Sequence, residues 1–107
     1  MGEKVASLVR AVAERRVLFL PHALRQMLCP SRMITRAEVR RVLAEGEVIE
    51  DYSEDIRGHS CLLLGWGDED RPIHVVCSPK EDYLAIITAY LPDVSEWSGN
   101  FRARIKK

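Results

Sequence analysis

The residues of this chain that could do chemistry are few: two well-placed histidines, a strand-end tyrosine and an aromatic–arginine tail. His22 and Arg25 stand in Pro21-His22-Ala23-Leu24-Arg25, where Pro21 suits the first turn of a helix. An imidazole, a guanidinium and the free N–H groups of a helix start together suit an anion. The same residues also suit an ordinary solvated helix face. His74 interrupts an apolar strand, Ile73-His74-Val75-Val76. Histidine is the side chain most easily tuned for proton transfer near neutral pH, and it is also a common half-buried, hydrogen-bonded strand residue. Tyr90 closes the last strand, just before Leu91-Pro92-Asp93. It could pack with its hydroxyl bonded, stack a base or orient a phosphate. Trp97, Phe101, Arg102 and Arg104 interleave aromatics with cations. Such a tail suits RNA, since rings stack bases and arginines grip phosphates. It equally suits aromatics packed on a sheet beside solvated arginines.

Other chemistries lack their residues. There is no phosphate-binding glycine loop, no Ser-His-Asp arrangement and no HExxH metal site. His22, His59 and His74 are too dispersed for a metal centre, so neither metal nor cofactor is expected. The cysteines, Cys29, Cys61 and Cys77, are odd in number and form no CxxC pair. They read as reduced, mostly buried thiols of a cytoplasmic protein. No apolar run approaches the ~20 residues of a membrane span, and the N-terminus lacks a signal-peptide core.

The formal net charge is zero, but it is unevenly spread. Residues 1–45 carry +5, residues 46–96 carry −9 and residues 97–107 carry +4. A basic helical half and a basic tail thus flank an acidic middle, which could steer a polyanion to one face. The neutral total argues against strong nonspecific nucleic-acid binding.

The elements that must position these residues follow from periodicity. Residues 3–16 form an amphipathic helix, with Val5, Leu8, Val9 and Val12 on one stripe. Val17–Leu20 is a short apolar run that suits a strand. A helix over 21–28 turns Ala23, Leu24, Met27 and Leu28 to the core and His22, Arg25 and Gln26 outward. A third helix, 35–45, opens with Thr35 and Glu38 as a capping box and ends at Gly46, read as a left-handed C-cap. The period then changes from 3.6 to 2. Strands over 47–53, 59–66, 72–78 and 83–91, joined by short turns, make a four-stranded antiparallel meander. The stretch beyond Pro92 reads as irregular or helical. The expected fold is α+β, one domain over 1–107.

The ordered set of segments resembles a known family. Pro21–Arg25, Ile34-Thr35-Arg36-Ala37-Glu38-Val39, Gly46–Tyr52, Pro72–Val76, Ile87-Thr88-Ala89-Tyr90, Pro92-Asp93 and Trp97 are similar to a bacterial domain of unknown function, family 4258, over roughly residues 16–104. That family in turn resembles the RelE-like toxins of type II toxin–antitoxin systems, including the BrnT and MqsR branches. The resemblance implies a helical pair on a curved antiparallel sheet, preceded here by the helix 1–16. It implies a metal-independent mRNA interferase, in which the RNA 2′-hydroxyl attacks the adjacent phosphorus. Such a step needs a base, an acid and cations for the charged phosphorane. By position, His22 and Arg25 match the family's helix-start element, His74 its strand histidine and Tyr90 its strand-end tyrosine. The implied roles are His74 or His22 as acid/base, Arg25 with Arg102 or Arg104 on phosphate, and Tyr90 as orienter, with Trp97 on RNA. The implied partners are RNA and a small antitoxin carrying CxxC zinc-finger pairs.

The leading expectation is therefore a toxin-like RNA endonuclease. The alternative is a noncatalytic interaction module of the same fold. The endonuclease reading requires the polar residues to converge, which demands helices on one sheet face and an open face opposite.

Overall fold

The structure, a computed structural model, describes residues 3–56 and 58–105. The turn expected over Glu54–Gly58 therefore includes one position, Arg57, outside the described residues. In chain order the elements are α1 (Glu3–Arg15), β1 (Val17–Phe19), α2 (Pro21–Met27), α3 (Arg36–Glu45), β2 (Glu47–Tyr52), β3 (Ser60–Trp66), β4 (Pro72–Pro79) and β5 (Leu84–Tyr90). They form one α+β unit.

The sheet has five strands, in the order β1-β5-β4-β3-β2. The antiparallel meander is there, from β2 to β5. The four-strand expectation is corrected by β1, which adds to the edge parallel to β5, with Val17 opposite Leu84 and Phe19 opposite Ile86. The physical reason is at hand: the N–H of Leu84 donates to Arg16 O at 2.8 Å and that of Leu20 to Ile86 O at 3.1 Å. Without β1 these backbone groups of β5 would lack partners.

One sheet face carries Val48, Cys61, Leu63, Ile73, Val75, Cys77, Leu84, Ile86 and Ala89 against the helices. Val5, Val9 and Val12 of α1, Ala23 and Met27 of α2, and Val39, Val42 and Leu43 of α3 complete that core. Leu62, Leu63 and Leu64 are all buried, as expected of an interior strand. Leu28 is not in the core: it is 66% exposed, because α2 stops at Met27 and the chain turns away.

The helix starts follow the sequence. Pro21 stands in the first turn of α2. Thr35 Oγ1 accepts from the Glu38 N–H at 3.0 Å, and Glu38 Oε1 accepts from the Thr35 N–H at 3.0 Å, a complete capping box. Gly46 is not left-handed: its backbone is extended, with φ −74° and ψ 173°. Glycine is needed there for closeness, since a Cβ would meet Val42 O at 2.5 Å and Leu64 O at 2.7 Å.

Glu38 does more than cap. It is fully buried, and the Arg71 guanidinium reaches it from the β3–β4 connection at 2.7 Å and 3.1 Å. Arg71 also donates to Arg32 O and Met33 O, and the Asp68 N–H donates to Glu38 at 2.9 Å. Burial disfavours the charged carboxyl, but these donors outweigh it and hold its pKa down at about 2. This clamp ties the loop after α2, the start of α3 and the β3–β4 turn together.

Candidate functional site

The sheet face away from the helices is where the polar candidates were expected to meet. It is not open: residues 93–105 fold back across it. The N–H groups of Trp97 and Glu96 both donate to Asp93 O, and a bridge joins Trp97 to Arg104. Trp97 is only 4% exposed.

Beneath Trp97 lies His74, fully buried. The two rings meet edge to face, with centroids 4.4 Å apart. His74 Nε2 lies 2.9 Å from Phe101 O. A carbonyl only accepts, so Nε2 carries the proton. Burial pulls the ring's pKa below its usual value, against the opposing pull of the Phe101 carbonyl and Glu50. The ring is thus neutral and Nδ1 is an acceptor. Its partner is the Tyr90 hydroxyl at 3.3 Å, from the residue directly opposite on β5. Burial raises the Tyr90 pKa, which keeps the phenol protonated and donating.

Tyr90 also lines a cleft of about 460 Å³ at the edge of the sheet. Thr88 and Leu91 join it, α2 and the following loop supply His22, Gln26 and Arg32, and the tail supplies Asp93, Glu96 and Trp97. Arg32 donates to Gln26 Oε1 at 2.5 Å. His22 is exposed, and among the described residues its side chain has no hydrogen-bond or ion-pair partner. Since the Tyr90 hydrogen points to His74, its oxygen presents lone pairs to any donor in the cleft.

The remaining candidates lie elsewhere. Arg25 is exposed on α2 but does not line the cleft. Arg104 sits over the Trp97 ring at 4.7 Å and grips Glu50 at 3.0 Å and 3.2 Å. Tyr52 also donates to Glu50. Burial would raise the Glu50 pKa, yet the hydrogen bonds from Arg104 and Tyr52 hold it below the usual value. Arg102 binds Glu47 at 2.6 Å at the β2 edge. The structure therefore brings His22, Tyr90 and Trp97 to one cleft and places His74 directly behind it. It holds Arg102 and Arg104 on carboxylates of β2.

Sequence reasoning did not single out Arg32, Thr88 or Glu96. Gln26 carried a usable signal, standing four residues after His22 on one helix face. Thr88 carried one too, two residues before Tyr90, although a bulge between β4 and β5 near Ile87 disturbs the alternation. Among the described residues, no group of three His, Cys, Asp or Glu side chains is placed to hold a metal, and no helix is long and apolar enough to cross a membrane.

Fold and site together define a small α+β domain with a polar cleft at the junction of α2, β5 and the tail. The chain belongs to the domain-of-unknown-function family DUF4258, whose pattern matches residues 19–91. His22, Arg25, His74 and Tyr90 fall within the matched segment, whereas α1, Trp97, Arg102 and Arg104 fall outside it. No curated protein and no solved structure matches the chain.

Proposed function

We propose that the chain is a toxin-like RNA endonuclease of a toxin–antitoxin pair and that it cuts in the cleft between α2 and the tail. The observation that carries this reading is the meeting of His22 with Tyr90 in one cleft, with Arg32 beside them. The 2′-hydroxyl of the RNA attacks the adjacent phosphorus, and the leaving 5′-oxygen takes up a proton. His22 is the accessible imidazole and serves as the acid/base group. Arg32, in the cleft wall, supplies positive charge for the phosphorane, and Arg25, outside the cleft on α2, adds only to the field that draws RNA in. Tyr90 accepts a hydrogen bond from the substrate, and His74 keeps its hydroxyl turned that way. RNA is the substrate and a small antitoxin, with CxxC zinc-finger pairs, is the partner.

A second reading has an observation of its own. Asp93 and Glu96 line the same cleft, and Glu47 and Glu50 already hold Arg102 and Arg104. These carboxylates oppose a polyanion and favour a noncatalytic module that binds another protein.

Induced expression of the chain alone in bacteria separates the two. A nuclease arrests growth and shortens messenger RNA, and His22→Ala abolishes both effects while the protein still accumulates. Undisturbed growth with intact messenger RNA at high expression rules the nuclease out.

A further inference from the structure

Cys61 and Cys77 take no part in the cleft. They stand directly opposite each other on β3 and β4, pointing into the helix-covered core. Both are fully buried, and their sulfurs are 3.9 Å apart. Cys29, in the loop after α2, is partly exposed.

Directly opposed residues of paired strands have Cβ atoms ~4.5–5.5 Å apart, and a disulfide needs ~3.5–4.5 Å. Closing a bond here therefore asks the Cβ atoms to approach by about 1 Å, and by at most ~2 Å. The ladder on the other side of β4 is not continuous: the β4–β5 pairing shifts register between Val76 and Cys77, where β5 carries the unpaired extra residue Ile87. At such a bulge the ladder is locally disrupted, so β4 is held less tightly beside Cys77.

We infer that Cys61 and Cys77 are an oxidation site, closing to a reversible intramolecular disulfide when the protein meets hydrogen peroxide. In the first step one thiol sulfur attacks a peroxide oxygen. The O–O bond breaks, a sulfenic acid forms and one water leaves. In the second step the other sulfur attacks the sulfenic sulfur. The S–S bond forms, and the hydroxyl leaves as a second water with the remaining thiol proton. One peroxide is reduced and two thiols are oxidised.

The two thiols share one hydrogen bond and are equally buried, so they act as a pair: whichever sulfur is oxidised first, the other stands within reach to resolve it. Peroxide is close to water in size and can reach a buried sulfur during brief openings. A glutathione adduct is too large for this core, so mixed-disulfide chemistry is disfavoured. Drawing opposed strands together stores strain, and strained disulfides are the readily reduced ones.

The test uses the full chain in native buffer with hydrogen peroxide, followed by thiol alkylation, digestion and peptide mapping by mass spectrometry. The expected result is loss of two of the three free thiols, a cross-linked Cys61–Cys77 peptide, and full recovery with dithiothreitol. A Cys29→Ser variant gives the same cross-link. If Cys61 and Cys77 stay alkylatable while Cys29 oxidises, the inference is overturned. Oxidation of either to sulfinic acid without a cross-link, or a cross-link that needs Cys29, overturns it equally. Because the native chain itself is mapped, the result does not depend on a core variant folding.

Discussion

The Tyr90 hydroxyl donates to Nδ1 of a neutral, fully buried His74, across the β4–β5 ladder. Two things set the direction of that bond: Phe101 O can only accept, which puts a proton on Nε2, and burial favours the neutral ring, which leaves Nδ1 without one. A tail carbonyl and burial together thereby set the hydrogen-bonding sense of a cleft residue through one imidazole. Tyr90 is left as an acceptor toward the cleft.

His74 also makes stability depend on pH. Burial depresses its folded pKa below the ordinary ~6.5 of the unfolded chain. The unfolded state therefore takes up a proton near pH 6.5 that the folded state refuses. Stability is full above that pH and falls as the pH drops from about 6.5 toward the folded pKa. Urea unfolding at pH 7.5 and pH 5.5 should show a loss that His74→Gln removes. An equal loss in both proteins would place the titration elsewhere.

The Glu38–Arg71 clamp predicts a larger effect. Arg71→Ala leaves a buried carboxylate without its cation, and such a deletion costs roughly 3 kcal/mol. Part of the Arg71 side chain meets solvent, which places the expected value at the low end of the range for buried pairs. Glu38, held at about 2 in the fold, contributes stability that is complete above the unfolded carboxylate pKa and is lost as pH falls from ~4.5 toward 2. Denaturant melts of Arg71→Ala should lose this acid-limb dependence together with the stability. An acid limb unchanged in the variant would show that other carboxylates dominate it.

What the sequence disclosed and concealed follows from locality. The Thr35–Glu38 box and the change of period at Gly46 are local signals, and the elements they mark are present. The run Val17–Phe19 was visible as a strand, but its parallel partner lies more than sixty residues away and left no local mark. Glu38 was legible as a cap and not as a salt-bridged core residue, because Arg71 comes from another hairpin. The tail was the hardest part. Its aromatic and basic residues fit RNA contact and sheet packing equally well, and only the fold shows Trp97 buried on His74. The convergence of His22 with Tyr90 needed the α2–β5 packing, and nothing local separates Arg25 from His22 in that respect.

The tail pairs give the nuclease reading a quantitative handle. Arg102 and Arg104 are bound to Glu47 and Glu50, with Arg104 62% and Arg102 42% exposed at the side chain. Partly exposed pairs of this kind contribute about 1 kcal/mol or less, so breaking them should not unfold the domain. It would release two cations on the face that carries the cleft's tail wall. If RNA binds there, Glu47→Gln with Glu50→Gln should raise affinity for a short single-stranded RNA. The slope of log affinity against log salt should steepen by up to about 0.7 for each arginine that reaches a phosphate. Fluorescence anisotropy at several salt concentrations measures both quantities. An interaction module predicts the opposite pattern: RNA binding stays weak in the double variant, the salt slope does not change, and the loss of acidic charge affects only protein partners. The two readings thus diverge on a measurement that needs no knowledge of the cleavage site.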